Sequence, residues 1–161
     1  NPVINVRAWS EDPMAAGVLA AAFIRGAQSK GVLTCAKHFP GHGDTSSDSH
    51  LTLPLLPHSR ERLAAIELPP FQQAIAAGVA SVMTAHLQLP ALDPDRPATL
   101  SQRVLTGLLR QELGARQSPY SNVSRLFRRH PAIHWSRAYH SLVDDSVAET
   151  EASFMITREC A

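Results

Sequence analysis

The chain has 161 residues and a mass of 17.5 kDa, a length typical of one domain or part of one, so a complete eight-stranded α/β barrel of about 250 residues is excluded. Hydrophobic residues make up 44% and charged residues 18%, so a packed core can form and the composition of disordered chains is absent. With a net charge of +1, the chain lacks the strong positive field that favours nucleic-acid binding. No apolar run reaches about 18 residues, the length of a membrane-spanning helix.

The first helix is predicted from its start signal. Asp12 supplies a side-chain acceptor at the N-cap and Pro13 presets φ at the first helical position, and an Ala-rich run follows to Ile24. Further helices are predicted at residues 60–66, 71–77 and 101–113. Pro69 and Pro70 are expected at the turn between the first two of these, and Gly114 is expected to end the last one.

Two short apolar runs predict strands that are buried on both faces, at residues 32–36 and 79–85. Lys37 and His38 follow the first run, and His86 follows the second. Alternating strands and helices favour parallel βα units, in which functional groups gather at the carboxyl ends of the strands. We therefore expect His38 and His86 to lie at that edge of an α/β fold.

The composition changes after Gly114. Residues 115–161 contain no lysine and lose hydrophobic periodicity, although a weak helix is predicted at residues 147–156. The cysteines, Cys35 and Cys160, lie far apart in the sequence and indicate neither a disulfide nor a metal site.

The densest group of polar residues lies in a long loop after the first strand. Residues 37–50 contain three histidines, two aspartates and a lysine. One interpretation is a solvated surface loop. A second is a metal site built from His38, His42, Asp44, Asp48 and His50, although the spacing matches no familiar zinc pattern and Lys37 would place a cation beside the ion.

A third interpretation is acid–base and sugar-binding chemistry. Asp48 and His50 lie two residues apart, so in an extended segment they share a face and the carboxylate can favour the protonated imidazole. Such a pair can transfer protons near neutral pH. Lys37 and His38, at the strand end, can donate hydrogen bonds to hydroxyl groups.

These residues resemble a known family. The run Lys37-His38-Phe39-Pro40-Gly41-His42-Gly43-Asp44-Thr45, followed by Asp48-Ser49-His50 and Leu53-Pro54, is similar to the signature of family 3 glycoside hydrolases of the bacterial β-N-acetylglucosaminidase (β-hexosaminidase) type. The resemblance covers residues 1–114. It includes flanking segments as well, namely Asn1-Pro2-Val3-Ile4 with Arg7, Glu11-Asp12-Pro13, Glu67-Leu68-Pro69-Pro70-Phe71, Ser81-Val82-Met83-Thr84-Ala85-His86 and Pro97-Ala98-Thr99-Leu100-Ser101.

The resemblance implies a role for each matching residue. Arg7, Lys37 and His38 would bind the hydroxyl groups of N-acetylglucosamine, His50 would be the general acid/base, and Asp48 its carboxylate partner. In the implied retaining mechanism His50 protonates the leaving oxygen, a carboxylate attacks the anomeric carbon, and His50 then activates the water that releases the sugar. No metal or organic cofactor is implied.

The sequence departs from the family where the nucleophile is expected. That aspartate would lie on the strand after the helix ending at Gly114, but no apolar strand is evident there and the nearest residue in register is Asn122, an amide. Asp144 and Asp145 come about 20 residues too late. We therefore expect this chain to be inactive alone.

The resemblance implies a partial (β/α)8 TIM-type barrel made of its middle βα units. We expect residues 1–114 to form this part of the domain, with the opening strands upstream of Asn1. Residues 115–161 are expected to be an unassigned, atypical tail, non-native in origin or disordered.

The implied function is removal of terminal N-acetylglucosamine from peptidoglycan-derived or chitin-like glycans, and the alternative is a non-catalytic sugar-binding remnant. We expect a monomer with a carbohydrate partner and no nucleic acid partner. The cytoplasm is the favoured location, with secreted and lipid-anchored forms as alternatives.

Overall fold

The computed structural model describes residues 4–45, 52–116, 119–120 and 152–155. Helices and parallel strands alternate along most of this part of the chain. The helices are α1 (Pro13–Gln28), α2 (Arg60–Ala65), α3 (Leu68–Ala76) and α4 (Arg103–Glu112), the last of π type. Short 3₁₀ turns lie at Asn5–Arg7 and Ala98–Leu100.

Four parallel strands form one sheet in the order β3-β2-β1-β4. They are β1 (Thr34–Phe39), β2 (Ser81–Thr84), β3 (Pro119–Tyr120) and β4 (Ala152–Met155). Cys35 pairs with Ser81 and Lys37 with Met83, and the register shifts before Phe39 pairs with Thr84. Because β1 and β2 are parallel, their carboxyl ends lie at one edge of the sheet.

Helix α1 begins as predicted. The Asp12 side chain accepts a hydrogen bond from the Ala15 amide at 2.7 Å, and Pro13 occupies the first turn. The buried face of the helix, which includes Ala16, Ala20 and Ile24, packs against the sheet and α3.

The first strand begins and ends later than its apolar run suggests. Val32 and Leu33 are 37% and 65% exposed and precede β1, whereas Lys37, His38 and Phe39 belong to the strand. The prediction that charged residues begin where the strand stops was therefore wrong by two to three residues. Backbone pairing with β2 explains the difference, since it extends to the carbonyl of Phe39, which accepts from the Ala85 amide at 2.7 Å.

Two other predictions need correction. Pro69 and Pro70 lie in the first turn of α3, not between the helices, because the first amides of a helix have no intrahelical acceptor to lose. The helix predicted at residues 147–156 is wrong for its described part, where residues 152–155 pair with β1 as β4. A short strand, β3, also follows Gly114, where none was evident in the sequence.

The core joins the sheet to α3 through an aromatic pair. The rings of Phe39 and Phe71 lie edge to face with centroids 5.1 Å apart, and both side chains are fully buried. Phe39 directly follows the two predicted sugar-binding residues of β1, so this packing fixes the backbone from which those side chains project.

A buried ion pair joins α2 to α3. The guanidinium Nη1 of Arg62 donates to both carboxylate oxygens of Glu67, at 2.7 and 2.6 Å, and the Glu67 side chain is only 4% exposed. Burial raises the pKa of the Glu67 carboxyl from its usual 4.5, and Arg62 opposes this rise only in part. The protonated form is therefore favoured by folding.

No helix in the described part of the chain combines the length and apolar character needed to cross a membrane.

Removing the α1 cap should destabilise the fold. We expect Asp12→Ala to lower the free energy of unfolding by about 1 kcal/mol, because the Ala15 amide loses its acceptor. Urea unfolding followed by circular dichroism measures this. The control is Glu11→Ala, an exposed neighbour without that role, expected to stay within about 0.5 kcal/mol. Equal effects of the two variants would contradict the capping role.

Glu67 should give the stability a recognisable pH dependence. Since its folded pKa is raised, its stabilising contribution is complete below the unfolded pKa of 4.5 and is lost as the pH rises through the folded value. Glu67→Gln removes this titration. Its stability relative to the unmodified chain should therefore increase between about pH 4 and about pH 7, as measured by urea unfolding.

The control for this experiment is Glu61→Gln on the neighbouring helix. Hydrogen bonds from the Glu61 backbone amide and from Ser59 lower the pKa of the exposed Glu61 carboxyl. The relative stability of this variant should change with pH in the opposite direction. The same sign for both variants would contradict the assignment for Glu67.

Candidate active site

The candidate site is built on the carboxyl end of β1. Lys37 and His38 are both half-buried at this end, and the peptide bond between them is cis, as is the bond between Phe39 and Pro40. The adjacent strand β2 ends at Thr84, and His86 follows two residues later. The predicted placement of His38 and His86 at one edge is confirmed by the parallel pairing.

His38 is a neutral imidazole with an unused polar atom. Burial lowers the pKa of His38 well below 6.5, and the charges of Lys37, His42, Arg7 and His86 lower it further. Its Nδ1 atom is buried and has no hydrogen-bond partner in the part of the chain that the structure describes. A buried polar atom without a partner costs free energy, so a ligand hydroxyl that reached Nδ1 would recover a hydrogen bond.

The His86 ring has a defined tautomer. The Thr99 hydroxyl donates to the Ala85 carbonyl at 2.8 Å and lies 3.0 Å from Nδ1 of His86. Because a hydroxyl has one hydrogen and this one is given to Ala85, Nδ1 of His86 must be the donor. In the neutral ring Nε2 is then an acceptor.

Arg7 ends the 3₁₀ turn at Asn5–Arg7, where its amide donates to the Ile4 carbonyl at 2.9 Å. The residue is exposed, yet its charge is close enough to His38 to lower the pKa of that ring. The structure thus brings Arg7, Lys37 and His38 together, with two cations beside a neutral imidazole.

Residues 41–45, which we call the histidine turn, lie beside His38. The His42 ring is buried and meets the His38 ring edge to face, with centroids 5.9 Å apart. Nδ1 of His42 lies 2.8 Å from the Thr45 hydroxyl. The turn therefore packs against one side of the His38 ring.

The histidine turn is tied to the segment before α2. Nε2 of His58 and Oδ2 of Asp44 are 2.7 Å apart, and Nη2 of Arg62 lies 3.6 Å from the same oxygen. His58 and Arg62 were not identified from the sequence. Neither belongs to a motif, and only the fold brings them to a residue 14 or more positions away.

Two of the predicted site residues, Asp48 and His50, lie outside the described residues. The role of His50 as general acid/base and that of Asp48 as its carboxylate partner stay predictions. Asn122, Asp144 and Asp145, which were considered as nucleophiles, also lie outside this part of the chain. Within the described residues no group of three or more His, Cys, Asp or Glu side chains could hold a metal ion.

Comparison with known proteins places this geometry in a family. Residues 1–120 match the glycosyl hydrolase family 3 N terminal domain. The chain is 45% identical over 126 residues to β-hexosaminidase A of Pseudoalteromonas piscicida, covering 71% of this chain and 21% of that protein. It is 40% identical over 132 residues to a β-hexosaminidase of Stenotrophomonas maltophilia, covering 82% and 39%. The chain thus spans well under half the length of these relatives.

Solved structures agree with the sequence relatives. A family 3 β-N-acetylglucosaminidase from Paenibacillus sp. has a TM-score of 0.76 and 39% identity, covering 99% of this chain and 30% of that one. NagZ from Neisseria gonorrhoeae in complex with N-trifluoroacetyl-D-glucosamine has a TM-score of 0.73 and 30% identity, covering 96% and 43%. The chain therefore belongs to the N-terminal domain family of the family 3 glycosyl hydrolases.

Proposed function

We propose that this chain carries the sugar-binding half of a retaining β-N-acetylhexosaminidase site that takes terminal N-acetylglucosamine from peptidoglycan-derived or chitin-like glycans. Residues 1–114 would be the middle βα units of a (β/α)8 barrel, and β3 and β4, which follow them in the chain, extend the same sheet. The proposal is supported by relatives named β-hexosaminidase and by a relative solved with N-trifluoroacetyl-D-glucosamine.

The observation that carries the proposal is the set of donors and acceptors around His38. A half-buried, neutral imidazole, whose Nδ1 has no partner among the described residues, lies beside Lys37 and within the field of Arg7. A sugar hydroxyl both donates and accepts, so it can bond to the imidazole in either tautomer and to a neighbouring cation at once.

The proton chemistry is assigned to His50 with Asp48 as its partner. An aspartate next to an imidazole stabilises the imidazolium, which can protonate the departing oxygen and then, as the neutral ring, accept a proton from water. This role of the pair rests on the sequence motif.

The chain alone is proposed to bind without hydrolysing. A retaining mechanism needs a carboxylate that attacks the anomeric carbon and forms a covalent intermediate. No described residue beside His38 supplies one, since Asp44 is already bonded to His58 and faces Arg62. The alternative function is a non-catalytic sugar-binding remnant, and it is supported by the absence of an identified nucleophile among the described residues.

Lys37 should matter for binding. We expect isothermal calorimetry to detect N-acetylglucosamine binding to the unmodified chain, and Lys37→Met to weaken it about ten-fold or more, because a hydrogen bond from a charged donor is lost. The control is Lys30→Met, which replaces the other lysine of the chain, exposed in the turn after α1. Absence of binding, or equal affinities of the two variants, would exclude the proposed site.

A hydrolysis assay tests the proposed inactivity of the chain alone. We expect the purified chain to release no chromophore from a chromogenic N-acetylglucosaminide above the buffer rate, because the covalent route is missing. Turnover that His50→Ala reduces by about 100-fold or more would show that the chain is an enzyme by itself and would overturn the proposed inactivity. Turnover unaffected by His50→Ala would instead point to a contaminating glycosidase and would be removed by further purification.

A further inference from the structure

The histidine turn is held at both of its ends by residues of the α2–α3 region. At its start, a Cβ added to Gly41 would lie 2.5 Å from Cγ and 2.8 Å from Cβ of Glu67, and the φ of Gly41 is +144°. Glu67 therefore packs directly against the turn at a position where only glycine fits. Near the end of the turn, Asp44 binds His58 at 2.7 Å.

Arg62 connects these two contacts. One of its guanidinium nitrogens donates to both oxygens of Glu67, while the other lies 3.6 Å from Asp44. A planar fork can satisfy two carboxylates at once, whereas an ammonium group would act as a single point charge. Asp44, His58, Arg62 and Glu67 thus form one continuous network, which we call the Asp44 network.

The Asp44 network leads to the predicted sugar-binding residue through His42. The turn that the network fixes carries His42, whose ring packs edge to face against His38 and whose Nδ1 contacts Thr45. A displacement of the turn would therefore shift the wall against which His38 rests. His58 and Arg62 are the contacts through which Asp44 is held to α2 and to the segment before it.

We propose that the Asp44 network is a positioning device that holds the histidine turn against α2 and α3 and so keeps His38 in place for its sugar ligand. His58 and Arg62 act through Asp44 and do not touch the ligand. This proposal rests on the proposed function where it concerns sugar binding. The effect of the Asp44 network on the His38 and His42 rings does not depend on any ligand.

The test is a double-mutant cycle on the full chain with Asp44→Asn, His58→Gln and the combined variant. Each single variant should weaken N-acetylglucosamine binding about three- to ten-fold, and the combined variant should be no weaker than the weaker single variant, because both break the same contact. If the affinity losses of the two single variants multiply in the combined variant, the two residues act independently and the proposal is overturned. Unchanged affinity in both single variants would also overturn it.

A second readout separates positioning from general stability. The ring proton signals of His38 and His42 in NMR spectra should shift in both single variants, even without sugar. The matched control is Arg60→Gln, on the same helix α2 as Arg62. This variant removes an ion pair between two exposed side chains, Arg60 and Glu112 of α4. That variant should leave both rings and the affinity unchanged. Rings that shift in the control as much as in the test variants would show a general loosening and overturn the proposal.

Arg62 provides a milder test if Asp44→Asn does not fold. Arg62→Lys keeps the charge but loses the fork, so it should shift the His42 ring signal and weaken binding less than Arg62→Gln does. An unmodified chain that binds no sugar would refute the proposed function. The NMR signals of the His38 and His42 rings would still test the Asp44 network. Signals that shift in His58→Gln but not in Arg60→Gln would support the network, and signals that do not shift would overturn it.

Discussion

The parallel pairing of β1 with β2 is the constraint on which the site depends. Residues 38 and 86 are far apart in the sequence, and only strands running in the same direction bring the ends that carry them to one edge. The pairing continues past the regular register, since the Ala85 amide still donates to the Phe39 carbonyl. The edge-to-face packing of Phe39 on Phe71 then holds this end of the strand against α3, so the backbone below the site is fixed from two sides.

Burial at this edge decides the chemistry of His38. A solvated histidine beside aspartates would be a proton carrier, but here desolvation and surrounding positive charge keep the ring neutral. The ring is therefore suited to hydrogen bonding and unsuited to supplying a proton. The proposed function accordingly assigns acid–base chemistry to a different residue, His50.

The sequence predicts helix starts better than it predicts strand bounds. Asp12 with Pro13 marks the start of α1 because a cap and a preset φ act locally. The bounds of β1 depend on backbone pairing with another strand, so the exposed Leu33 looked like strand and the half-buried His38 did not. Tertiary pairing also explains β4, where a weak helical pattern was overridden.

Site residues also differ in whether a local sequence pattern reveals them. Lys37 and His38 are predicted as site residues because they belong to a contiguous motif, and Arg7 because its flanking segment resembles the family. His58 and Arg62 form no local pattern, and their importance comes from contacts with Asp44 that only the folded chain creates. Residues that act through another residue are therefore the ones that a single sequence hides.

The carboxylates of the described residues bear on the proposal that the chain binds a sugar without hydrolysing it. Three of them are not exposed, namely Asp44, Glu67 and Asp93. Each is committed to the fold: Asp44 to His58, Glu67 to Arg62, and Asp93 to the Ser101 hydroxyl at 2.6 Å. A carboxylate oxygen that already accepts a hydrogen bond is less available to attack an anomeric carbon. The described residues thus use these three carboxylates to hold side chains and turns, so the nucleophile of the proposed retaining mechanism is not identified among them.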